Sequence, residues 1–308
     1  MEQVVNMSNA QANQPGGGHA RRLFYDKCGR CLFIASACLM TLMIFSMIFF
    51  VGKQGLLTLA DVSPVEFFTS AAWDPSAKHF GALSFILGSL ETTLLSVLIG
   101  APLGLLGAIF LSKLAPVPVK RIMRPAIDLY VAIPSVVYGY IGLTLFVPFL
   151  SATFSLPTGF GVLAASLVLA IMIMPTILSI STDALNAVPK PLEEASLALG
   201  ATWWQTMIHV VLPSAIPGVM TSIVLAMARA VGETMAVQML IGNTPQIAAT
   251  LFTPTATLTS NIVVEMGNTP FGSTWGNALF LMAFVLLILS LGMILLIRYF
   301  TSKKVVAG

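Results

Sequence analysis

Long uninterrupted apolar runs dominate the chain, in place of the alternating or one-sided patterns of water-soluble strands and helices. An α-helix needs ~20 apolar residues to cross ~30 Å of hydrocarbon. Residues 31–51 form the first uncharged run, and 92–112, between Glu91 and Lys113, the second. The uncharged stretch from Leu129 to Thr182 is too long for one crossing. Pro157, Thr158 and Gly159 mark a turn inside it, which divides it into 129–150 and 162–182. Residues 216–242 form a fifth run, interrupted by Arg229 and Glu233, and 277–297 a sixth. The pattern predicts an all-α polytopic membrane protein with about six transmembrane helices in a single domain, residues 31–300. A tail, 1–30, precedes it and a short tail, 301–308, follows. The first twenty residues are polar, hold Pro15 and a Gly16-Gly17-Gly18 run, and read as flexible chain. The first apolar run exceeds a signal-peptide core and is expected to be a retained helix.

The crossings carry their own interruptions. Pro102, Pro134, Pro148 and Pro175 each remove a backbone donor and kink or open a helix. Gly100, Gly104 and Gly107 put small residues on neighbouring faces of the second crossing. That pattern serves either close helix packing or a hinge in a conduit wall. The segment Asn243–Trp275 is long and mostly uncharged, with Leu251, Ile262, Val263 and Val264. It either dips into the membrane or covers a mouth, and irregular backbone at that depth requires protein or water around it.

Composition agrees with the pattern. The chain is 57% hydrophobic and 9% charged, against about 25% charged in soluble domains, so it cannot cover a water-facing surface. The net charge of +3 is too small to indicate nucleic acid, but its distribution is informative. Arg21, Arg22, Lys27, Arg30, Lys113, Lys120, Arg121, Arg124, Lys190, Arg298, Lys303 and Lys304 fall on one side of a six-crossing topology, and only Lys53 and Lys78 on the other. The positive-inside rule then puts both termini in the cytoplasm. Cys28 and Cys31 have C-x-x-C spacing, but zinc needs four ligands and no second pair follows. His19, His79 and His209 scatter over both sides, so no metal site is indicated.

The loop 189–213 between the fourth and fifth crossings is the most structured polar segment. Pro191 suits a first helical turn, and Glu193 and Glu194 suit its positive end. Gly200 can end the helix in a left-handed conformation, and Trp203 and Trp204 suit a lipid interface. From the residues alone this is a capped two-turn helix, either a surface connector or a docking element. In Glu194, Ala195, Gly200, Val210, Leu212 and Pro213 the segment resembles the EAA loop of ATP-binding-cassette importer permeases, with Ser196 in place of the second alanine. The resemblance implies a coupling helix, with Glu193, Glu194, Ala195, Gly200, Leu212 and Pro213 meeting a separate ATPase. No G-x-x-x-x-G-K-(S/T) pattern occurs in the chain, so no phosphate-cradling loop is expected here.

Arg229 falls in the middle of the fifth run, with Glu233 four residues later, on one face of a continuous helix. A charge at that depth is costly. The pair either neutralises itself and fixes packing, or offers a forked donor to an oxyanion while the carboxylate accepts a proton-bearing oxygen. Glu91 is expected to be an acid at a helix start, Asp128 and Asp183 to be solvated at inner boundaries, and Glu265 to meet an outside protein. The segment Arg229–Val237, reading RAVGETMAV, resembles permeases of the PstC type from bacterial phosphate importers. So do Ala132–Gly139, the residues Phe80 to Ile86, and Trp73 with Pro75, and the resemblance covers about 32–300. It implies an ABC type I importer permease fold in the bacterial inner membrane and a substrate path through Arg229, Glu233, Thr234, Tyr138 and Ser135. It also implies partners: a PstA-type permease, a PstB-type ATPase dimer that holds ATP and Mg, and a PstS-type phosphate-binding protein. No catalytic residue, cofactor or metal is expected on this chain. The remaining alternatives are another oxyanion, such as sulfate or molybdate, or an ion-coupled secondary transporter.

Overall fold

A computed structural model describes residues 17–270 and 272–306, with side chains over 25–270 and 272–299. Residues 1–16 and 307–308 of the two expected tails lie outside the described residues. The chain divides into two compact units, Met1–Val51 and Gly52–Gly308.

The described part of the first unit is helical. Helix α1 (Gly17–Leu56) starts inside the segment expected to be flexible and runs on past the unit boundary. Its 40 residues reach ~60 Å at 1.5 Å each, about twice the hydrocarbon thickness. Leu32, Phe33, Met40, Phe45 and Phe49 are all exposed along it, and a helix apolar all round belongs in lipid. Cys28, Cys31 and Cys38 are exposed free thiols on the same helix.

The second unit continues with a 3₁₀ turn, α2 (Pro64–Thr69) and an antiparallel hairpin of β1 (Trp73–Asp74) and β2 (His79–Phe80). Then follow α3 (Leu83–Ile109), α4 (Val117–Ala132), α5 (Ser135–Ile141), α6 (Val147–Phe154) and α7 (Val162–Asn186). The remaining helices are α8 (Lys190–Ala198), α9 (Trp203–Thr206), α10 (Leu212–Gly232), α11 (Met235–Leu240), α12 (Leu258–Met266) and α13 (Thr274–Val306). Among the described residues, six helical stretches are long and apolar enough to cross a membrane: 25–60, 83–114, 135–154, 162–186, 203–232 and 274–299. Three of them contain a π-helical turn, at Phe110–Leu114, Gly142–Phe146 and Met207–Val211. Such turns loosen a helix locally and recur at moving parts.

Helix α7 is the centre of the core. Val162, Val168, Leu169, Met172, Ile173 and Ile177 are buried on it, and α3 and α10 pack against it. The glycines of α3 make the close approach possible. A Cβ at Gly104 would stand 2.9 Å from the Ile177 Cβ, and one at Gly100 would stand 3.1 Å from the Ala170 carbonyl. Of the two readings open for these glycines, the geometry gives helix packing. A second apolar cluster joins Phe67, Trp73, Phe80 and Phe85 to Leu258, Leu279 and Met282, which fastens the hairpin to α12 and α13.

The described stretches differ from the expected bounds at one or both ends, and in the third and fifth the cause is a backbone break. The third was expected at 129–150 but begins at Ser135. Residues Leu129–Ala132 instead finish α4, an amphipathic helix that also carries Lys120, Arg121, Arg124 and Asp128. Ile133, ahead of Pro134, is extended (φ −64°, ψ 129°), as steric clash with the proline ring requires. The break has no charged residue to mark it, so an uncharged run conceals it. The fifth was expected at 216–242, but α10 stops at Gly232 and α11 restarts at Met235. Glu91 is also displaced from its expected place at a helix start. With α3 beginning at Leu83, it lies two turns in, beyond the reach of the helix dipole.

The segment after α11 turns back into the bundle. Thr255 N donates to the Ile241 carbonyl at 3.0 Å and Leu163 N to the Leu251 carbonyl at 2.8 Å. Thr257 caps α12 through a reciprocal pair with Ser260, and Leu258, Thr259, Ser260 and Asn261 are buried. At the other end of α12, Trp73 Nε1 donates to Glu265 Oε1 at 2.8 Å and Trp275 Nε1 to Glu265 Oε2 at 2.6 Å.

Candidate functional site

The break between α10 and α11 organises the charged residues. Arg229 lies in the last turn of α10, where exposed carbonyls make the helix end negative and favour a cation. Glu233 follows as the C-cap residue with extended backbone (φ −69°, ψ 130°). Its carboxylate Oε1 accepts from Ala236 N at 3.4 Å, in the first turn of α11. The expected placement of both charges on one face of a continuous helix is therefore corrected. Each complements the end of a separate helix segment, and among the described residues no ion pair joins Arg229 to Glu233, whereas Lys113 pairs with Glu193. Both side chains are half-buried. A guanidinium that is not spent on the neighbouring carboxylate keeps its donors for another acceptor.

A small recess adjoins the break. Glu233 lines it together with Ser89, Thr92 and Thr93 of α3 and Thr257 and Thr259 beside it. Thr259 Oγ1 donates to the Glu233 carbonyl at 3.1 Å, and Leu258 N donates to Ser89 Oγ at 2.9 Å. These five hydroxyl residues were missed from sequence. The available signal was the spacing of Ser89, Thr92, Thr93 and Ser96, a hydroxyl stripe at helical intervals inside an apolar run. Thr234 sits in the break itself, its Oγ1 3.2 Å from the Gly232 carbonyl.

Tyr138 and Ser135 belong to a second break, between α4 and α5. The Tyr138 hydroxyl donates to the Tyr130 carbonyl at 2.7 Å, and the two rings lie 5.3 Å apart. This bond bridges the extended residues Ile133 and Pro134. Helices α5 and α11, which follow the two breaks, pack on each other, and this puts the breaks in one neighbourhood. Gly139 packs there too, since a Cβ on it would meet the Ala236 Cα at 2.9 Å. Ser135 is half-buried in the first turn of α5.

The second part of the candidate site is α8. Glu194 and Ala195 are exposed, and Gly200 ends the helix with φ +87° and no atom within 4 Å of a Cβ placed there. The left-handed backbone is the reason for glycine at that position. Glu193 faces inward and forms an ion pair with Lys113 in the π turn after α3. Lys120 Nζ donates to the Ser112 carbonyl at 2.7 Å, and Ser112 Oγ to Asn186 Oδ1 at 2.7 Å. Leu212 is half-buried against the cluster of Leu185, Val188, Met207 and Val211, and Pro213 takes the first turn of α10. Lys113 is the member that sequence reasoning did not single out.

Residues 100–305 match the family described as binding-protein-dependent transport system inner membrane component. The chain is 48% identical over 280 residues to the probable ABC transporter permease protein YqgH of Bacillus subtilis, covering 90% of this chain and 91% of that one. It is 35% identical over 257 residues to the phosphate transport system permease protein PstC of Mesorhizobium japonicum, covering 77% and 78%. A solved chain from a bacterial alginate ABC transporter in complex with its alginate-bound periplasmic protein shares the fold, with TM-score 0.61, 15% identity, and 91% and 97% coverage. The broken fifth crossing, the capped α8 and these likenesses agree: the chain is a multi-pass inner-membrane permease subunit that belongs to the family of binding-protein-dependent ABC transport components, in the group of the PstC permeases.

Proposed function

We propose that this permease forms half of the path by which inorganic phosphate enters the cell, with a PstA-type permease as the other half. The carrying observation is Arg229 at the end of α10, half-buried and not paired with Glu233. A free guanidinium there offers two parallel N–H donors to a tetrahedral oxyanion. Glu233, across the break, accepts a hydrogen bond from a protonated phosphate oxygen, which sulfate lacks at neutral pH. Ser135, Tyr138 and Thr234 border the same path. The names of the PstC relatives support the cargo.

A PstB-type ATPase dimer, which binds ATP and Mg, docks on the exposed face of α8 at Glu194 and Ala195. A PstS-type protein delivers phosphate from outside. Both termini are cytoplasmic, because twelve of the fifteen Lys and Arg residues then face inward. ATP-driven closure of the ATPases moves α8, and the path opens outward to receive phosphate.

Radiolabelled phosphate uptake by cells carrying Arg229→Gln tests the reading. Uptake is expected to fall at least tenfold while the assembled complex is retained. Normal uptake removes Arg229 from the path, and sulfate uptake by the parent without phosphate uptake replaces the cargo.

A further inference from the structure

The element that borders the Glu233 recess through Thr257 and Thr259 is α12, and its two ends are held differently. Its first turn is tied to the recess wall through Thr259 Oγ1 on the Glu233 carbonyl (3.1 Å) and Leu258 N on Ser89 Oγ (2.9 Å). Both are single bonds between neutral groups. Its last turn carries Glu265, and both carboxylate oxygens are occupied, Oε1 by Trp73 Nε1 at 2.8 Å and Oε2 by Trp275 Nε1 at 2.6 Å. The donors come from the β1 strand and the start of α13, so one side chain ties three separate elements together. The donor from the hairpin is itself fixed. The Trp73 ring is 8% exposed and stands edge-on to Phe80 at 5.4 Å and to Phe85 at 5.4 Å. The Glu265 main chain adds a further tie, its carbonyl accepting from Thr269 Oγ1 at 2.7 Å.

A carboxylate kept for an outside protein leaves its oxygens free. This one does not, so the expected role of Glu265 as a contact for such a protein finds no support in its geometry. We infer that Glu265 is a positioning residue: clamped by Trp73 and Trp275, it holds α12 shut over the Glu233 recess and so sets when the outer mouth of the path opens. The inference rests on the orientation proposed above, in which the hairpin and α12 lie outside. When α12 withdraws, the Thr259 and Leu258 bonds break with it, and Glu233, Ser89 and Thr93 become accessible from that side.

The test uses the full transporter with its partner subunits, Cys28, Cys31 and Cys38 replaced by serine, and a reporter Val237→Cys in the recess wall. Val237 is 3% exposed, so an impermeant thiol reagent added outside labels the parent slowly. Glu265→Ala is expected to speed labelling at least tenfold, and Glu265→Gln, which keeps one acceptor, by less. Trp73→Phe and Trp275→Phe, which keep a ring and remove the N–H, are each expected to speed it severalfold. Neither is expected to add anything in the Glu265→Ala background. If Glu265→Ala does not assemble, the two Trp→Phe variants decide. Unchanged labelling in assembled variants overturns the clamp, and acceleration confined to inside-out vesicles overturns its outer placement. Phosphate uptake by the parent is read separately. Its absence, with labelling still accelerated, removes the cargo and leaves the clamp.

Discussion

Arg229 and Glu233 show how much the residue scale depends on backbone detail. As neighbours on a continuous helix they would neutralise each other, and the path would lose its free cation. With the helix ended at Gly232, Glu233 turns to the Ala236 N–H instead. Glu233→Gln keeps an oxygen for that N–H but can also donate, so the carboxamide no longer distinguishes a protonated oxyanion from an unprotonated one. The expected outcome is a phosphate preference over sulfate reduced at least tenfold in competition uptake, with complex assembly unchanged. Both charges were legible because charges are rare in apolar runs. The hydroxyl residues around them were less so, since serine and threonine satisfy themselves on helix carbonyls, as Thr92 does on Gly88 at 2.7 Å. Such residues sit in lipid-crossing helices without announcing a role. The ion pair of Lys113 with Glu193 was hidden for another reason: its members are 80 positions apart, and no local pattern reports a tertiary contact.

At the scale of elements, crossings were easier to count than to bound. Charges mark where a run ends, but a break flanked by apolar residues leaves no mark, which is why the end of α4 merged with the third crossing. The proline was visible, and what it separated was not. The capped α8 was legible in full, because its proline, its acids and its glycine are local signals. Gly200→Ala tests the cap in isolation. Nothing crowds a Cβ there, so the cost is conformational, about 1 kcal/mol for a non-glycine residue in the left-handed region. The expected result is a weaker hold on the ATPase, read as a severalfold loss of co-purified ATPase, with Gly200→Asn milder because asparagine tolerates that backbone. The Lys113–Glu193 pair belongs to the same scale, since it joins two helices. Lys113→Gln leaves a part-buried carboxylate without its cation, a loss on the order of 1–3 kcal/mol. Fewer phosphates moved per ATP hydrolysed are expected, and the exchange Lys113→Glu with Glu193→Lys should restore the ratio. No restoration by the exchange assigns the effect to something other than the pair.

For the whole molecule, the decisive quantity is the shortage of charge. A chain with 9% charged residues leaves side chains such as Leu98, Ile122, Leu145, Phe149 and Leu295 exposed, and only lipid or other helices suit such a surface. The proposed orientation rests on where the few cations fall. An epitope placed after Gly308 is expected to be reached by antibody only in inside-out vesicles, and one inserted beside Lys78 only in right-side-out cells. The reverse labelling overturns the topology and, with it, the outer position of α12.

The stretch from Leu83 to Leu114 has one further consequence. It runs 32 residues, ~48 Å at helical rise, with Ser89, Thr92 and Thr93 on the recess near its beginning and Lys113 on α8 at its end. On the docking proposed above, the same rod has one tip at the ATPase's platform and the other beside the Glu233 recess. The tip that meets α8 is wound as a π turn. A stroke delivered at that platform would meet the π turn first and the regular helix afterwards, so this turn stands between the motor and the recess.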